Sequence, residues 1–244
     1  MNNFSHPLIP HTLYFKSIES TMSYSEQHLL NYDNHSLVIT KIQTNGRGRK
    51  GNQWNSPNGG LWFNLNLKHI SSQKGFTLFL GYCITKALNT LLNTNNFQIK
   101  WPNDIYLQNK KICGLICSQF PQYHTTLIGV GINTNIKNKK YFTNLNANSI
   151  LNITNIVLDN TLYLNKILDT IFSEINNFES QGIDYFLEYY QQYDFLKNKK
   201  INVINQNETY SGLYYGINQD GALMIITNNL ISNHYSGSIE IIHR

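Results

Sequence analysis

The stretch from Leu61 to Leu92 constrains the fold more than any other part of the chain. Leu61, Phe63, Leu65 and Leu67 alternate with Trp62, Asn64 and Asn66, and a period of two describes a strand with one face buried. Ten residues later the period changes. From Thr77 to Leu92 the apolar side chains Leu80, Ile84, Ala87, Leu88 and Leu91 recur at helical spacing, so an amphipathic helix follows and needs an apolar surface to lie on. A sheet carrying a helix on its face satisfies both requirements.

The flanking segments extend that sheet. Residues 13–15 read as a short strand, and the hydroxyls of Ser20 and Thr21 offer an N-cap for a helix running to about Leu30. The apolar run 37–39 with Ile42 reads as a buried strand. Beyond the central helix, strands are expected at 98–101, 112–118 and 126–132, with the polar turn 108–110 closing a hairpin between 105–107 and 112–118. The Asn-rich residues 135–160 read as loop, and 162–178 and 183–193 as two amphipathic helices. From about Lys200 the character changes to short alternating runs at 201–204, 210–215, 223–226 and 239–242, broken by Gln219-Asp220-Gly221 and Ser236-Gly237. Short strands at this spacing suggest a small β-barrel of SH3 size. The expected architecture is therefore α+β: a body over residues 1–197 with a sheet and flanking helices, then a small β-barrel over 198–244.

Composition narrows the function classes. A hydrophobic fraction of 41% over 244 residues supplies an ordinary core. A net charge of +5 suits nucleotides or acidic partners but is too small to argue for DNA or RNA by itself. Three cysteines, Cys83, Cys113 and Cys117, lie in apolar stretches and read as buried reduced thiols, with no second close pair of ligands to make a zinc site. The first residues lack the basic start and apolar run of a signal peptide. No apolar run approaches the ~20 residues that span a bilayer. A cytoplasmic protein with no membrane partner is the expectation.

Chemistry concentrates in a few segments. Gly46-Arg47-Gly48-Arg49-Lys50-Gly51, followed by Trp54, packs three glycines and three cations between two strands. Glycines let a backbone approach a ligand closely, and arginine presents a planar fork of donors to carboxylate or phosphate oxygens. The segment reads either as a loop that wraps an anion or as a solvated basic turn. It has neither the strand–Gly–helix context of a dinucleotide fold nor the ending of a P-loop. Lys100-Trp101-Pro102-Asn103-Asp104 sets a cation and a carboxylate on either side of a turn, able to hold a phosphate with magnesium or to orient an amine; an ordinary hairpin turn has the same composition. Lys111-Ile-Cys-Gly114 lies on the returning strand, and Gly129-Val-Gly131-Ile-Asn133 ends a buried one.

Taken together, in this order and spacing, Ser20-Thr21, Gly46–Trp54, Lys100–Asp104, Lys111–Gly114 and Gly129–Asn133 resemble the biotin–protein ligase family, in which a GRGR-x-G-x-x-W loop precedes K-W-P-N-D, K-x-x-G and G-x-G-I-N. Asp220-Gly221-Ala222-Leu223 and Gly237-Ser-Ile also match that family's small C-terminal domain. The resemblance implies a class II synthetase-like catalytic fold with a mixed sheet and an SH3-like C-terminal domain. It implies ATP and biotin as substrates, magnesium arriving with ATP rather than at a metal site of the protein, and biotinyl-5'-AMP as intermediate. The acceptor it implies is a lysine of the biotin carboxyl carrier protein of acetyl-CoA carboxylase.

Residue by residue, the resemblance gives catalytic roles to Lys111, Arg47, Arg49, Asp104 and Lys100. Ser20, Thr21, Met22, Gln43, Arg47, Gly48, Arg49, Lys111 and Gly114 would contact biotin, and Arg49, Trp54, Asn103 and Asn133 the ATP or adenylate. Arg47 and Arg49 would ride on a loop that is loose without ligand and closed over the adenylate. Ser118, Met22 and Cys113 depart from the family pattern, where Glu, Asn and a smaller residue are usual. Fewer than 20 residues precede Ser20, too few for the DNA-binding domain of some members, so the monofunctional form without DNA contact is expected. Members also pair through sheet edges, which allows a homodimer. A lipoate or octanoate ligase or transferase of the same fold is the nearest alternative, but its Arg-Arg-x-Ser-Gly-Gly-Gly segment is absent.

Overall fold

Seven strands form the mixed sheet that the periodicities require. In a computed structural model describing residues 4–70, 73–143, 146–205 and 208–242, these are β1 (His11–Phe15), β2 (Ser36–Thr40), β3 (Leu61–Lys68), β4 (Phe97–Lys100), β5 (Asp104–Leu107), β6 (Lys110–Phe120) and β7 (Thr125–Ile132). Their order is β1-β2-β3-β7-β6-β5-β4. Only β1 and β2 run parallel; the other neighbours are antiparallel. The turn between β5 and β6 places Gln108 and Asn109 at φ of 47° and 61°, the left-handed geometry that a two-residue hairpin requires.

The sheet is covered on both faces. Helices α2 (Phe76–Leu91) and α4 (Asn160–Gln181) pack against each other, and Phe63, Leu65, Ile128, Val130 and Ile132 belong with α2 to the main core. Side chains of opposite parity meet α1 (Thr21–Gln27): Met22, Leu29 and Leu127 form a second, smaller core. The reading of β3 as one-sided is corrected accordingly, since all eight of its residues are buried. The N–H donors of its polar face find internal partners, with Asn64 Nδ2 donating to Met22 Sδ at 2.9 Å, Asn66 Nδ2 to Ser36 Oγ at 2.8 Å and Trp62 Nε1 to the Pro57 carbonyl at 2.9 Å, while Asn64 Oδ1 and Asn66 Oδ1 are buried without a partner among the described residues.

Other boundaries shift for local reasons. Helix α1 stops at Gln27 rather than near Leu30; beyond it, the Lys68 ammonium donates to the Leu29 carbonyl at 3.0 Å. Residues 135–160 are not all loop, because Ser149 caps a short helix α3 (Ile150–Thr154) and a 3-10 turn spans Lys139–Phe142. The helix expected over 183–193 is broken into a 3-10 turn at Gly182–Tyr185 and α5 (Leu187–Gln192). Cys83 and Cys113 are buried as expected; Cys117 is half-buried, and all three are free. No helix among the described residues is long and apolar enough to cross a membrane.

The C-terminal segment forms a separate five-stranded antiparallel sheet of β8 (Lys200–Asn205), β9 (Glu208–Ile217), β10 (Leu223–Thr227), β11 (Leu230–His234) and β12 (Ser238–Ile241), in the order β11-β10-β9-β8-β12. Strand β11 is the one that no alternating run announced. The two sheets share one core: Ile201, Val203, Tyr214, Leu223 and Ile225 pack in the same buried cluster as α2 and α4. The Trp101 indole also donates to the Gly221 carbonyl at 2.9 Å.

Candidate active site

On the α1 face of the sheet, glycines leave room that side chains would fill. Gly114 and Gly131 are partners across β6 and β7, and the Trp54 ring lies over both. A Cβ on Gly131 would sit 2.4 Å from Trp54 Nε1, and one on Gly114 2.9 Å from the ring carbon Cζ3. Trp54 Nε1 is buried and has no hydrogen-bond partner among the described residues. An indole N–H in that position is a donor waiting for an acceptor.

Around this floor lies a cavity of about 480 Å³. The residues to which the family resemblance gives a catalytic or binding role all line it: Ser20, Thr21, Met22, Gln43, Arg47, Gly48, Arg49, Trp54, Lys100, Asn103, Asp104, Lys111, Gly114 and Asn133. The first wall is the start of α1. Ser20 Oγ accepts from the Ser23 amide at 3.3 Å as the helix N-cap. Thr21 donates through both its amide and its hydroxyl to Gln43 Oε1 at 2.9 and 3.0 Å, and Gln43 Nε2 donates to Ser56 Oγ at 2.7 Å. Gln43 thus braces the wall, while Met22 turns down onto the sheet toward Asn64.

The Gly/Arg segment is a hairpin standing over the cavity. The Trp54 amide donates to the Gly46 carbonyl at 2.8 Å and the Gly48 amide to the Asn52 carbonyl at 2.6 Å. A Cβ on Gly46 would lie 2.5 Å from the Trp54 oxygen, so only glycine closes this turn. At the tip, Arg49–Gly51 makes a 3-10 turn with Gly51 at φ 77°. The Arg49 guanidinium donates to Asn103 Oδ1 at 2.8 Å. Burial lowers its pKa, against the opposing pull of Asp104.

The opposite wall is the β4–β5–β6 hairpin. Lys100 and Asp104 are partners across β4 and β5, and Asp104 faces Gly114 on β6. The Lys111 ammonium pairs with Asp104 Oδ1 at 2.7 Å and lies 5.1 Å from the centre of the Trp54 ring. Lys100 is held by the Ile239 carbonyl at 3.1 Å, and burial pushes its pKa down, with Asp104 opposing and Lys111 adding to the shift. Asn103 Nδ2 donates to the Leu115 carbonyl at 2.7 Å, leaving its oxygen to Arg49. Asn133 is buried and donates to the Asn148 carbonyl at 3.1 Å, which fastens the next segment to the sheet.

Among the described residues, five cationic side chains, Arg47, Arg49, Lys50, Lys100 and Lys111, line the cavity against the single carboxylate of Asp104. That balance suits a polyanion. Sequence reading missed three stretches of lining: Tyr141 and Phe142 on the 3-10 turn, Asn146 and Ala147 beside Lys111, and Gly237–Ile239 of the second sheet. The first two lie in an Asn-rich segment without periodicity, where no local signal marked them; the third was marked as a turn and as part of the C-terminal domain, but its remoteness in sequence gave no sign that it reaches the cavity.

Comparison with known proteins agrees with this geometry. Residues 14–135 match the model of the biotin/lipoate A/B protein ligase family. The bifunctional ligase/repressor BirA of Escherichia coli (strain K12) is 25% identical over 234 residues, covering 92% of this chain and 72% of that protein. Biotin–protein ligase 2 of Arabidopsis thaliana is 30% identical over 165 residues, or 63% of this chain and 46% of that one. Among solved structures, a biotin protein ligase from Aquifex aeolicus in complex with biotin and ATP superposes with a TM-score of 0.85 at 24% identity, over 97% of this chain and all of that one.

Proposed function

Because the chain belongs to the biotin/lipoate A/B protein ligase family, we propose that it is an ATP-dependent biotin–protein ligase. The observation that carries this reading is the ring of five cations around a single ion-paired carboxylate, above a floor of glycines capped by Trp54. Relatives named biotin–protein ligases favour biotin over lipoate.

In this reading the biotin carboxylate attacks the α-phosphate of ATP, forming the acyl–phosphate bond of biotinyl-5'-AMP as pyrophosphate departs. Two anions must be brought together, and the cations reduce their repulsion in a site partly shielded from water. Lys111 contacts the biotin carboxylate and the α-phosphate; Arg49, Arg47 and Lys100 take the remaining phosphate charge. Ser20, Thr21 and the Gln43 brace shape the biotin end, with Met22, Gly48 and Gly114 in its lining. Trp54, Asn103 and Asn133 frame the adenylate. An acceptor amine then attacks the acyl carbonyl and AMP leaves. Asp104, released from Lys111, orients that amine and takes its proton.

The cavity's one carboxylate already pairs with Lys111, and no group of three His, Cys, Asp or Glu side chains among the described residues could hold a metal ion. The donor set does not fit a dedicated magnesium site; magnesium would come with the phosphates of ATP. We assign the chemistry to residues 1–197 and the support of Lys100 to residues 198–244. The acceptor we propose is a biotin carboxyl carrier domain. The test is ATP–pyrophosphate exchange with biotin or lipoate, followed by labelling of a carrier domain. Exchange dependent on biotin and transfer to one carrier lysine are expected; exchange dependent on lipoate alone would overturn the assignment.

A further inference from the structure

We infer that Glu26 is a positioning residue: its carboxylate latches the 46–54 hairpin, through Arg47, over the cavity. The inference rests on the proposed ligase reading only for what lies beneath the hairpin. The hairpin's own backbone bonds, Trp54 to Gly46 and Gly48 to Asn52, close it on itself. Its arginines fasten it to the two walls. Arg49 reaches Asn103 on one side. On the other, Arg47 Nη1 lies 2.5 Å from Glu26 Oε2 and 3.4 Å from Ser23 Oγ, both on α1.

Charge explains why a latch is needed. The hairpin carries Arg47, Arg49 and Lys50 and faces Lys100 and Lys111, while Asp104 is occupied by Lys111. Like charges drive the hairpin outward, and Glu26 stands outside the cavity lining, where it attracts Arg47 without competing for the anion's place within. The pair is weak by construction, with side chains 46% and 27% exposed; such pairs shift an equilibrium by about five-fold at most. A weak latch fits a cover that must reopen for a protein acceptor at every turnover. Glu26 also lies on the helix that carries Ser20 and Thr21, so movement of the biotin wall is transmitted to the hairpin.

Arg47, Arg49 and Lys50 are themselves trypsin sites, which makes the latch measurable on the full chain without ligand. Glu26→Gln should raise tryptic cleavage in the hairpin by about three- to five-fold at low salt. Glu26→Asp should fall between, and 0.5 M NaCl should bring the wild type close to the Gln variant. With biotin and ATP, release of the adenylate should quicken by a similar factor. Equal cleavage of wild type and Glu26→Gln at low salt overturns the latch, as does a lowered thermal midpoint without hairpin-specific cleavage. Faster cleavage with unchanged adenylate release overturns its positioning role. A wild-type chain that forms no adenylate defeats the ligase reading instead, and the tryptic comparison still decides the latch.

Discussion

Lys111 sits where three influences meet: the Asp104 carboxylate at 2.7 Å, the Trp54 ring at 5.1 Å and the cations that share its cavity. On the proposed reading, a lysine so placed exchanges one anion for another when substrate enters, and its removal would strip charge from the reacting centre. Lys111→Ala should lower biotin-dependent pyrophosphate exchange by roughly 10²–10³-fold, the usual loss when one preorganised donor is deleted, with circular dichroism unchanged; exchange within a few-fold of wild type would remove Lys111 from the chemistry. Arg49 has a different duty. Because its guanidinium ties the hairpin tip to Asn103, Arg49→Ala should release the adenylate faster and label bystander proteins. Retention equal to wild type would show that it is no clamp. Both residues stood out in the sequence as cations beside glycines. Their partners Asn103 and Asp104 stood out as neighbours in a motif, not as partners, because the pairing depends on the register of β5 and β6.

Strands β6 and β7 show why glycine recurs at an element's site face. The indole of Trp54 can lie across Gly114 and Gly131 only because neither carries a Cβ. Gly131→Ala should displace the ring and cost about 1–3 kcal/mol through overpacking. Trp62 and Trp101 are buried whereas Trp54 is half-buried, so a red-shifted emission would report the displacement; unchanged emission and stability would contradict this packing. The local patterns of β3 and α2 were legible at this scale, since burial repeats with the period of the element. The second buried face of β3 was not, because Asn64 and Asn66 read as solvent-facing until α1 and Ser36 are seen to cover them and accept from their amide groups.

Across the whole molecule, the two sheets depend on each other. The segment after α5 runs along the β4 edge, with the Ile99 amide bonded to the Tyr193 carbonyl and the Phe195 amide to the Ile99 carbonyl. Between them lies buried Asp194, whose Oδ1 accepts from the Leu196 amide at 2.8 Å. Burial raises its pKa to about 6, partly offset by the Tyr214 hydroxyl. The sign follows from the raised value. Below the ordinary carboxylate pKa of ~3.9 both folded and unfolded chains hold the proton. From there to about 6 only the folded chain does, so stability falls as pH rises, by about 3 kcal/mol at most. Asp194→Asn should remove that fall: denaturation midpoints at pH 4 and pH 7 should converge relative to wild type, and a parallel pH profile would refute the assignment. Residues 1–197 alone should not hold a native core, because Tyr190 pairs with Tyr214 at 3.3 Å and the buried cluster continues into β8, β9 and β10. Sharp near-ultraviolet dichroism from that fragment would show that the sheets fold separately.

The sequence by itself determined the elements and the chemistry at hand: periodicity is local, so strands and helices could be read where it persists, and the spacing of glycines and cations marked the site's residues and their family likeness. It did not determine short elements that lack a full period, such as α3, or the break between residues 182 and 187. What only the tertiary structure decided are the pairings between remote parts of the chain. Glu26 is an unremarked surface acid until the hairpin brings Arg47 to it. Ile239 is a strand residue until its carbonyl meets Lys100. Asn133 holds down the segment at Asn148 as well as lining the cavity. Hydrogen bonds and ion pairs act over a few ångströms in space, and sequence separation carries no record of that distance.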